Sequence, residues 1–385
     1  MDKIPVRKYE CGSCGYSDYR MSSRDIGELL PGECPKCRSG MVVRDSDNPL
    51  WLLSVLDHVS REFELVDFVA LENGLEAEVR SKNPKKSFRN LMKRVRTAGY
   101  LPVMRGKDGS LRLFVMKYPK QKRANPVVNI ALLAATCAST FLAGYYFIFG
   151  EIPDAALFSV SIMLMLGVHE LGHKIAARRS GVESTLPYFI PAPNLLGTMG
   201  AVINVKSPIP TKESLIEMGV AGPLAGFAVA VPIILVGLFM SSPDPSGVSF
   251  GFVPAVFALM QIATFGYVPP AIRLNPLIFS GWVMLLLTML NMMPAGQLDG
   301  GHVARGLMRK ETHYILTRSV GFGLFITGIL FPGMPFWFWG FLILLFFRTY
   351  HPGALDDVSD LSRSHRVLGA IAFAVFALCL PVPLV

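Results

Sequence analysis

The chain has 385 residues, of which 51% are hydrophobic and only 17% charged, with a mean hydropathy of +0.43. A soluble domain carries about 25% charged residues, so this composition excludes an ordinary soluble protein and points to the bilayer. The net charge of +9 does not indicate a nucleic-acid partner, because the Lys and Arg residues flank apolar runs, as the positive-inside rule predicts.

Residues 1–48 contain "CGSCGYSDYR" and "GECPKC", two CxxC pairs separated by 19 residues. That spacing, with glycines suited to tight knuckle turns, reads as a zinc ribbon held by Cys11, Cys14, Cys34 and Cys37. Four thiolates leave no open coordination position, so this metal is read as structural. The rival reading, a pair of disulfides, requires an exported segment, and the polar first 125 residues contain no early apolar run. The two remaining cysteines, Cys137 and Cys379, sit alone in apolar runs and read as core or lipid-facing residues.

Residues 49–118 read as a small α/β domain. "LLSVLDHVSREF" and "SFRNLMKRVRTAGY" have helical spacing, "LEAEVRSK" alternates like a strand, and "LPVMRGKDGSLRLFVMKY" reads as a hairpin around Gly106–Gly109. Its Lys and Arg residues are read as a solvated face. The domain is expected to bind an unidentified protein partner or a substrate tail, or else to act as a spacer.

Residues 119–385 read as a membrane domain. "YPKQKRANP" ends the soluble part, and Lys117, Lys120, Lys122 and Arg123 are expected on the cytoplasmic side. Apolar runs predict helices at about 127–149, 156–178, 215–240, 275–293, 315–331, 334–347 and 367–383, with a tight turn at Pro332, Gly333 and Pro335. The fold class expected is therefore an α-helical polytopic membrane protein of about six to seven spans with an N-terminal zinc ribbon and α/β domain. With the N-terminus in the cytoplasm of a cell membrane, "KIAARRSG", "HVARGLMRK" and "FRTYHPG" all fall inside. The short, proline-bounded run 252–270 is read as re-entrant or interfacial, since a full crossing there would reverse "HVARGLMRK". Between the second and third helices, "STLPYFIPAPNLLGTMGAVINVKSPIP" lacks helical period and predicts one or two short strands, "GAVINV" the best of them. Its free edge could pair with an extended peptide, or it could be an ordinary hairpin.

Within the second helix lies "HELGH", an H-E-x-x-H match. An ionisable group at the bilayer centre costs about 2.5–3.5 kcal/mol or more, so unpaired histidines and a glutamate are poor membrane residues. On a helix, His169 and His173 are one turn apart on one face, as two imidazoles on one metal require, and Glu170 beside them is placed as a general base for a metal-bound water. Catalytic zinc takes a third protein ligand and keeps a position open. "NMMPAGQLDGGH", at the cytoplasmic end of the fourth helix, offers Asp299, the carboxylate matching the depth of the two histidines. His302 is a further candidate ligand, more naturally a neighbour of the site. Asn291 offers an amide one turn before Pro294, which breaks the helix. "GVAGPLAGFAVA" in the third helix reads as a close-packing surface.

These pieces in this order, "HELGH", "GTMGAVINV", "AGPLAG" and "NMMPAGQLDGGH", resemble the site-2 protease family of intramembrane zinc metalloproteases, especially its archaeal and plastid branch. The resemblance covers about 127–350. It implies His169, His173 and Asp299 as ligands of a catalytic zinc, Glu170 as catalytic base and Asn291 as a substrate-holding residue. It also implies a substrate that is a single-span membrane protein, cleaved within or near the bilayer in regulated intramembrane proteolysis. Met292 stands where the family often has proline. The zinc ribbon lies outside the family core, and neither PDZ nor CBS modules are visible. With the ribbon, two zinc ions are expected. The rival readings are a membrane metalloprotease taking a later Glu as third ligand, for which the sequence offers only Glu311, placed in a loop; a zinc transporter or zinc-binding scaffold; and a catalytically inactive family member.

Overall fold

A computed structural model describes residues 6–21, 28–44, 50–71, 74–107, 109–118, 125–331 and 336–383. Lys120, Lys122, Arg123 and the turn at Pro332, Gly333 and Pro335 lie outside the described residues. The chain divides into two units, Met1–Lys122 with Leu355–Asp360, and Arg123–Ala354 with Leu361–Val385.

In the first unit the strands are β1 (Val6–Cys11), β2 (Ser17–Met21), β3 (Leu29–Glu33), β4 (Gly40–Arg44), β5 (Glu64–Leu71), β6 (Gly74–Arg80), β7 (Tyr100–Lys107) and β8 (Ser110–Lys117). They form one eight-stranded sheet in the order β3-β4-β1-β2-β5-β6-β8-β7. Tyr19 and Arg20 of β2 pair with Ala70 and Val69 of β5, so the cysteine-bearing strands and the α/β strands share one sheet. Helices α1 (Leu50–Ser60) and α2 (Pro84–Thr97) bury Leu52, Val55, Leu56 and Val59, and Phe88, Leu91 and Val95, the apolar stripes their periodicity predicts. These pack with Phe68, Ala77 and Leu113 of the sheet. Asn83 caps α2, its side chain accepting from the Lys86 amide at 3.1 Å, and a proline occupies the first turn. Asp18 is fully buried but paired with Arg20 at 2.6 Å, which offsets the cost of burying its charge. The segment Leu355–Asp360 completes this unit. Leu355 joins the core, and its carbonyl accepts from the Met104 amide at 2.9 Å.

The second unit is helical. Its elements are α3 (Pro126–Ala143), a π-helical turn Gly144–Phe149, α4 (Ile152–Arg179), β9 (Tyr188–Pro191), β10 (Thr198–Val202), α5 (Lys212–Phe239), β11 (Pro243–Val248), β12 (Phe252–Pro254), α6 (Ala255–Phe265), α7 (Pro276–Asn291), α8 (Asp299–Leu307), α9 (Lys310–Leu330), α10 (Phe336–Phe346), α11 (Arg363–Cys379) and β13 (Pro381–Pro383). Among the described residues four helices are long and apolar enough to cross a membrane: 126–149, 152–179, 212–239 and 310–330. The run expected to be re-entrant forms β12, paired to β13, and the 11-residue α6. At about 1.5 Å per residue that helix is about 16 Å long, roughly half a bilayer core. Glu311 is not in a loop as the sequence suggested; it lies in the first turn of α9, where a carboxylate complements the helix dipole.

α5 is the central helix, packing against α4, α7, α8 and α11. The core joins Phe158, Ile162 and Leu166 of α4 to Ala230, Ile234 and Leu238 of α5 and to Ile278, Met284 and Leu285 of α7. Hydroxyls inside the bundle satisfy one another, Thr140 with Ser159 at 2.7 Å and Ser161 with Ser280 at 2.8 Å, as a water-free interior demands. The β9–β10 hairpin is tied to α3. Asn129 donates to the carbonyls of Leu186 and Pro187 at 2.9 and 3.0 Å, and Ser139 donates to that of Gly197 at 2.6 Å.

Candidate metal centre

α4 places His169 and His173 one turn apart, their Nε2 atoms 3.1 Å from each other. Oδ2 of Asp299 lies 3.5 Å from the first and 3.2 Å from the second. Zinc with Zn–N and Zn–O near 2.0–2.1 Å and tetrahedral geometry separates its ligand atoms by about 3.4 Å, so three donors of the right type stand at the spacing one zinc ion imposes. The tautomer also fits. His173 Nδ1 is 2.7 Å from the Met218 carbonyl, which can only accept, so the ring hydrogen is on Nδ1 and Nε2 presents its lone pair to the centre. His169 Nδ1 is buried without a partner, and the ring is only 2% exposed.

Asp299 reaches the histidines because the chain reverses sharply after α7. The helix ends at Asn291, Pro294 follows, Gly296 takes a left-handed φ of 54°, and the Gly296 amide donates to Thr317 Oγ1 at 3.0 Å. A side chain on Gly301 would meet the carbonyls of Ala295 and Gly296, both at 2.5 Å. The paired glycines therefore let α8 start directly under the turn, with Asp299 as its first residue.

The small-residue stripe of α5 is a packing surface, as its spacing suggested, and what it packs on is the metal centre. Gly219, Gly222 and Gly226 lie on one helix face. A β-carbon at Gly222 would run into the ring of His173, one at Gly219 would lie 2.5 Å from the Asp299 carbonyl, and one at Gly226 would crowd His169 and Met284. Sequence reasoning did not single out these glycines as site residues, since helical spacing of small residues says that a helix approaches but not which one.

A cavity of about 270 Å³ opens on the centre, lined by His169, Glu170, His173, Asn291, Asp299 and His302 and, from the other side, by Ala201, Val202, Ile203 and Val205. Glu170 therefore shares the cavity with the clustered donors, and Asn291 Nδ2 lies 3.5 Å from His169 Nε2. The expected strand is β10, and the chain running on from it forms the opposite wall. Lys174 ties this wall to α4 by donating to the Ser184 and Thr185 carbonyls, at 2.5 and 2.9 Å. His302 lines the cavity, but the group whose donor atoms converge closely enough to hold a metal ion is His169, His173 and Asp299.

In the first unit the four cysteines converge. Cys11 and Cys37 Sγ are 3.5 Å apart, Cys14 and Cys34 Sγ 3.6 Å, and all four are unbridged. Zinc bound at about 2.3 Å by four thiolates would separate them by about 3.8 Å. The two knuckles repeat one pattern. The Cys11 carbonyl accepts from the Gly15 amide at 3.0 Å and the Cys34 carbonyl from the Arg38 amide at 2.8 Å, with φ of 70° at Gly15 and 63° at Arg38. Hydrogen bonds from Ser39, side chain and backbone, then from Cys14 and Cys11, bring the Cys37 thiol down to about 6.

Residues 157–331 match peptidase family M50. The chain is 33% identical over 243 residues to "Probable zinc metalloprotease EGY1, chloroplastic" of Arabidopsis thaliana, covering 59% of this chain and 43% of that protein. With the protein of the same name from Oryza sativa subsp. japonica it shares 35% over 230 residues, 55% of this chain and 38% of that protein. The chain thus spans about two fifths of these relatives. Among solved structures, "Site-2 Protease from Methanocaldococcus jannaschii" aligns with a TM-score of 0.32 and 16% identity, over 62% of this chain and 93% of that one.

Proposed function

Because residues 157–331 belong to peptidase family M50, the site-2 protease family, we propose that this chain is a zinc-dependent endopeptidase that cuts single-span membrane proteins within or near the bilayer. The observation that carries the reading is the convergence of His169, His173 and Asp299 in a cavity whose wall includes Glu170.

His169, His173 and Asp299 would hold the catalytic ion. Bound zinc supplies a Lewis acid that polarises a carbonyl and lowers the pKa of water to about 7. Glu170 takes the proton of the attacking water and passes it to the leaving nitrogen. A substrate helix shields its amides by internal hydrogen bonding, so it must unwind before it reaches Glu170. β10 pairs with β9 on one side, and the segment around Gly200–Val205 then holds the unwound stretch by edge pairing. Asn291 keeps it against the histidines. Cys11, Cys14, Cys34 and Cys37 hold a second, structural zinc.

Six to seven crossings, with the N-terminal unit in the cytoplasm, place every basic cluster inside. The membrane is a cell membrane in this reading, and the relatives' chloroplast address makes an organellar membrane the alternative outcome of fractionation. The N-terminal unit serves a protein partner, and cleavage releases a cytoplasmic fragment.

The test compares wild type with Glu170→Gln in cells and in liposomes bearing single-span substrates. The variant keeps its zinc and loses about 10²–10⁴ in rate, and single-span proteins accumulate uncut beside it. Cleavage by the variant at the wild-type rate would overturn Glu170 as the base, and no cleavage by either protein would point to an inactive scaffold or transporter instead.

A further inference from the structure

His302 stands one turn beyond Asp299 on α8, three residues on and so on the same face. Its ring is half-buried and lines the cavity that Glu170 and the clustered donors share. Its Nδ1 lies 2.9 Å from Nε2 of His351, and His351 Nδ1 in turn accepts from the Gly353 backbone amide at 2.9 Å. A backbone N–H can only donate, so His351 Nδ1 is the bare nitrogen and the ring's hydrogen sits on Nε2. That Nε2–H donates to His302 Nδ1. The hydrogen of His302 is therefore on its own Nε2, the nitrogen left for the cavity.

The relay is held firmly. His351 is 5% exposed, and its ring meets those of His302 and His313 edge-on, at 4.9 and 5.5 Å between centroids. Gly353 has a left-handed φ of 71°, and a β-carbon there would come within 2.6 Å of the Arg305 guanidinium, so only glycine presents this amide without strain.

We propose that His302 donates a hydrogen bond from Nε2 to the carbonyl oxygen of the scissile peptide, and that His351 is the positioning residue that sets its tautomer. The proposal rests on the peptidase reading of the site. As the water oxygen bonds to the carbonyl carbon, Glu170 takes the water proton and the carbonyl π pair moves onto its oxygen, which becomes anionic. A donor already aimed at that oxygen stabilises the charge as it develops and needs no reorganisation. A third imidazole nitrogen in the cavity thus serves substrate rather than metal.

The experiment uses the full chain in liposomes with a single-span substrate, and reads zinc content, kcat, KM and the ¹⁵N shifts of labelled histidines. His302→Phe should lower kcat on the order of 10²–10³-fold, with KM within about threefold and zinc unchanged. His302→Gln, which keeps an N–H, should recover about tenfold of that loss. In the wild type the His302 shifts should report hydrogen on Nε2, and in His351→Phe they should move toward a mixture of tautomers while kcat falls. Loss of the membrane zinc in His302→Phe, an undiminished kcat, or wild-type shifts showing hydrogen on Nδ1 would each overturn the proposal. Glu170→Gln measured alongside separates the two levels. Full cleavage there overturns the reading of this cavity as the catalytic site, and the donor with it. Loss there with full cleavage in His302→Phe overturns the donor alone.

Discussion

At the scale of single residues, the centre depends as much on what is missing as on what is present. Gly222 leaves the room that the His173 ring occupies. Gly222→Ala puts a methyl group into that ring, and the adjacent carbonyl of Met218 fixes Nδ1, so the imidazole cannot swing away without losing its hydrogen bond. The expected outcome is loss of the catalytic zinc by about tenfold to a hundredfold in affinity, in the range seen when a ligand's supporting contacts are removed. The bundle should still form, which circular dichroism and size exclusion in detergent would check. His169, Glu170 and His173 stood out in the sequence because they occupy one turn of an apolar helix, where an unpartnered charge is expensive. Asp299 was legible through its depth and the glycines around it. The tautomer of His173 and the relay behind His302 were not, since a carbonyl 45 residues from His173 and a histidine 49 residues from His302 meet them only in the folded chain.

At the scale of elements, β10 and the chain after it form one wall of the cavity, and the hairpin β9–β10 is tied to α3 by side-chain hydrogen bonds. Asn129 and Ser139 of α3 supply three hydrogen bonds to the loops around it. Interhelical polar contacts in membranes contribute about 0.6 kcal/mol each, so the double variant Asn129→Ala with Ser139→Ala should loosen this wall rather than unfold the bundle. Cleavage kinetics in liposomes should show KM raised by about three- to tenfold and kcat changed much less, as expected when substrate holding rather than chemistry is weakened. Equal losses in kcat and kcat/KM would instead place the hairpin in the transition state. The strand pair was legible as a Gly, Pro and β-branched stretch without helical period. β5 was not anticipated, although "ELVDFVAL" alternates, because it follows directly on a helix-like run. α6, 11 residues long, occupies the proline-bounded run that the charge pattern set apart from the full spans.

At the scale of the whole molecule, two candidate metal sites lie in two different units, and their loss should be separable. Wild-type protein is expected to hold about two zinc ions per chain, and Asp299→Ala and Cys34→Ser about one each. Asp299→Ala should keep the N-terminal unit stable and abolish cleavage. Cys34→Ser should lower the melting temperature of that unit, since structural zinc contributes directly to folding, and leave cleavage of a minimal substrate measurable. Metal analysis with proteolysis of the N-terminal unit decides between these outcomes. A single bound ion in the wild type would contradict the two-site account. A polar first third followed by long apolar runs was visible in composition. The assignment of Leu355–Asp360 to the first unit was not, because a six-residue stretch between helices carries no periodicity and its partner, β7, lies about 250 residues earlier.

That short stretch makes the N-terminal unit discontinuous in sequence. The polypeptide enters it from the start, leaves for the bundle, and comes back to lay Leu355 into its core before leaving again. A cut engineered between Tyr118 and Asn125 would not release the unit, because Leu355–Asp360 belongs to it and is continuous with the rest of the chain. Conversely, a fragment ending at residue 122 lacks a piece of its own core and is the wrong reagent for isolating the domain. The first unit is complete only once the chain has been made through residue 360.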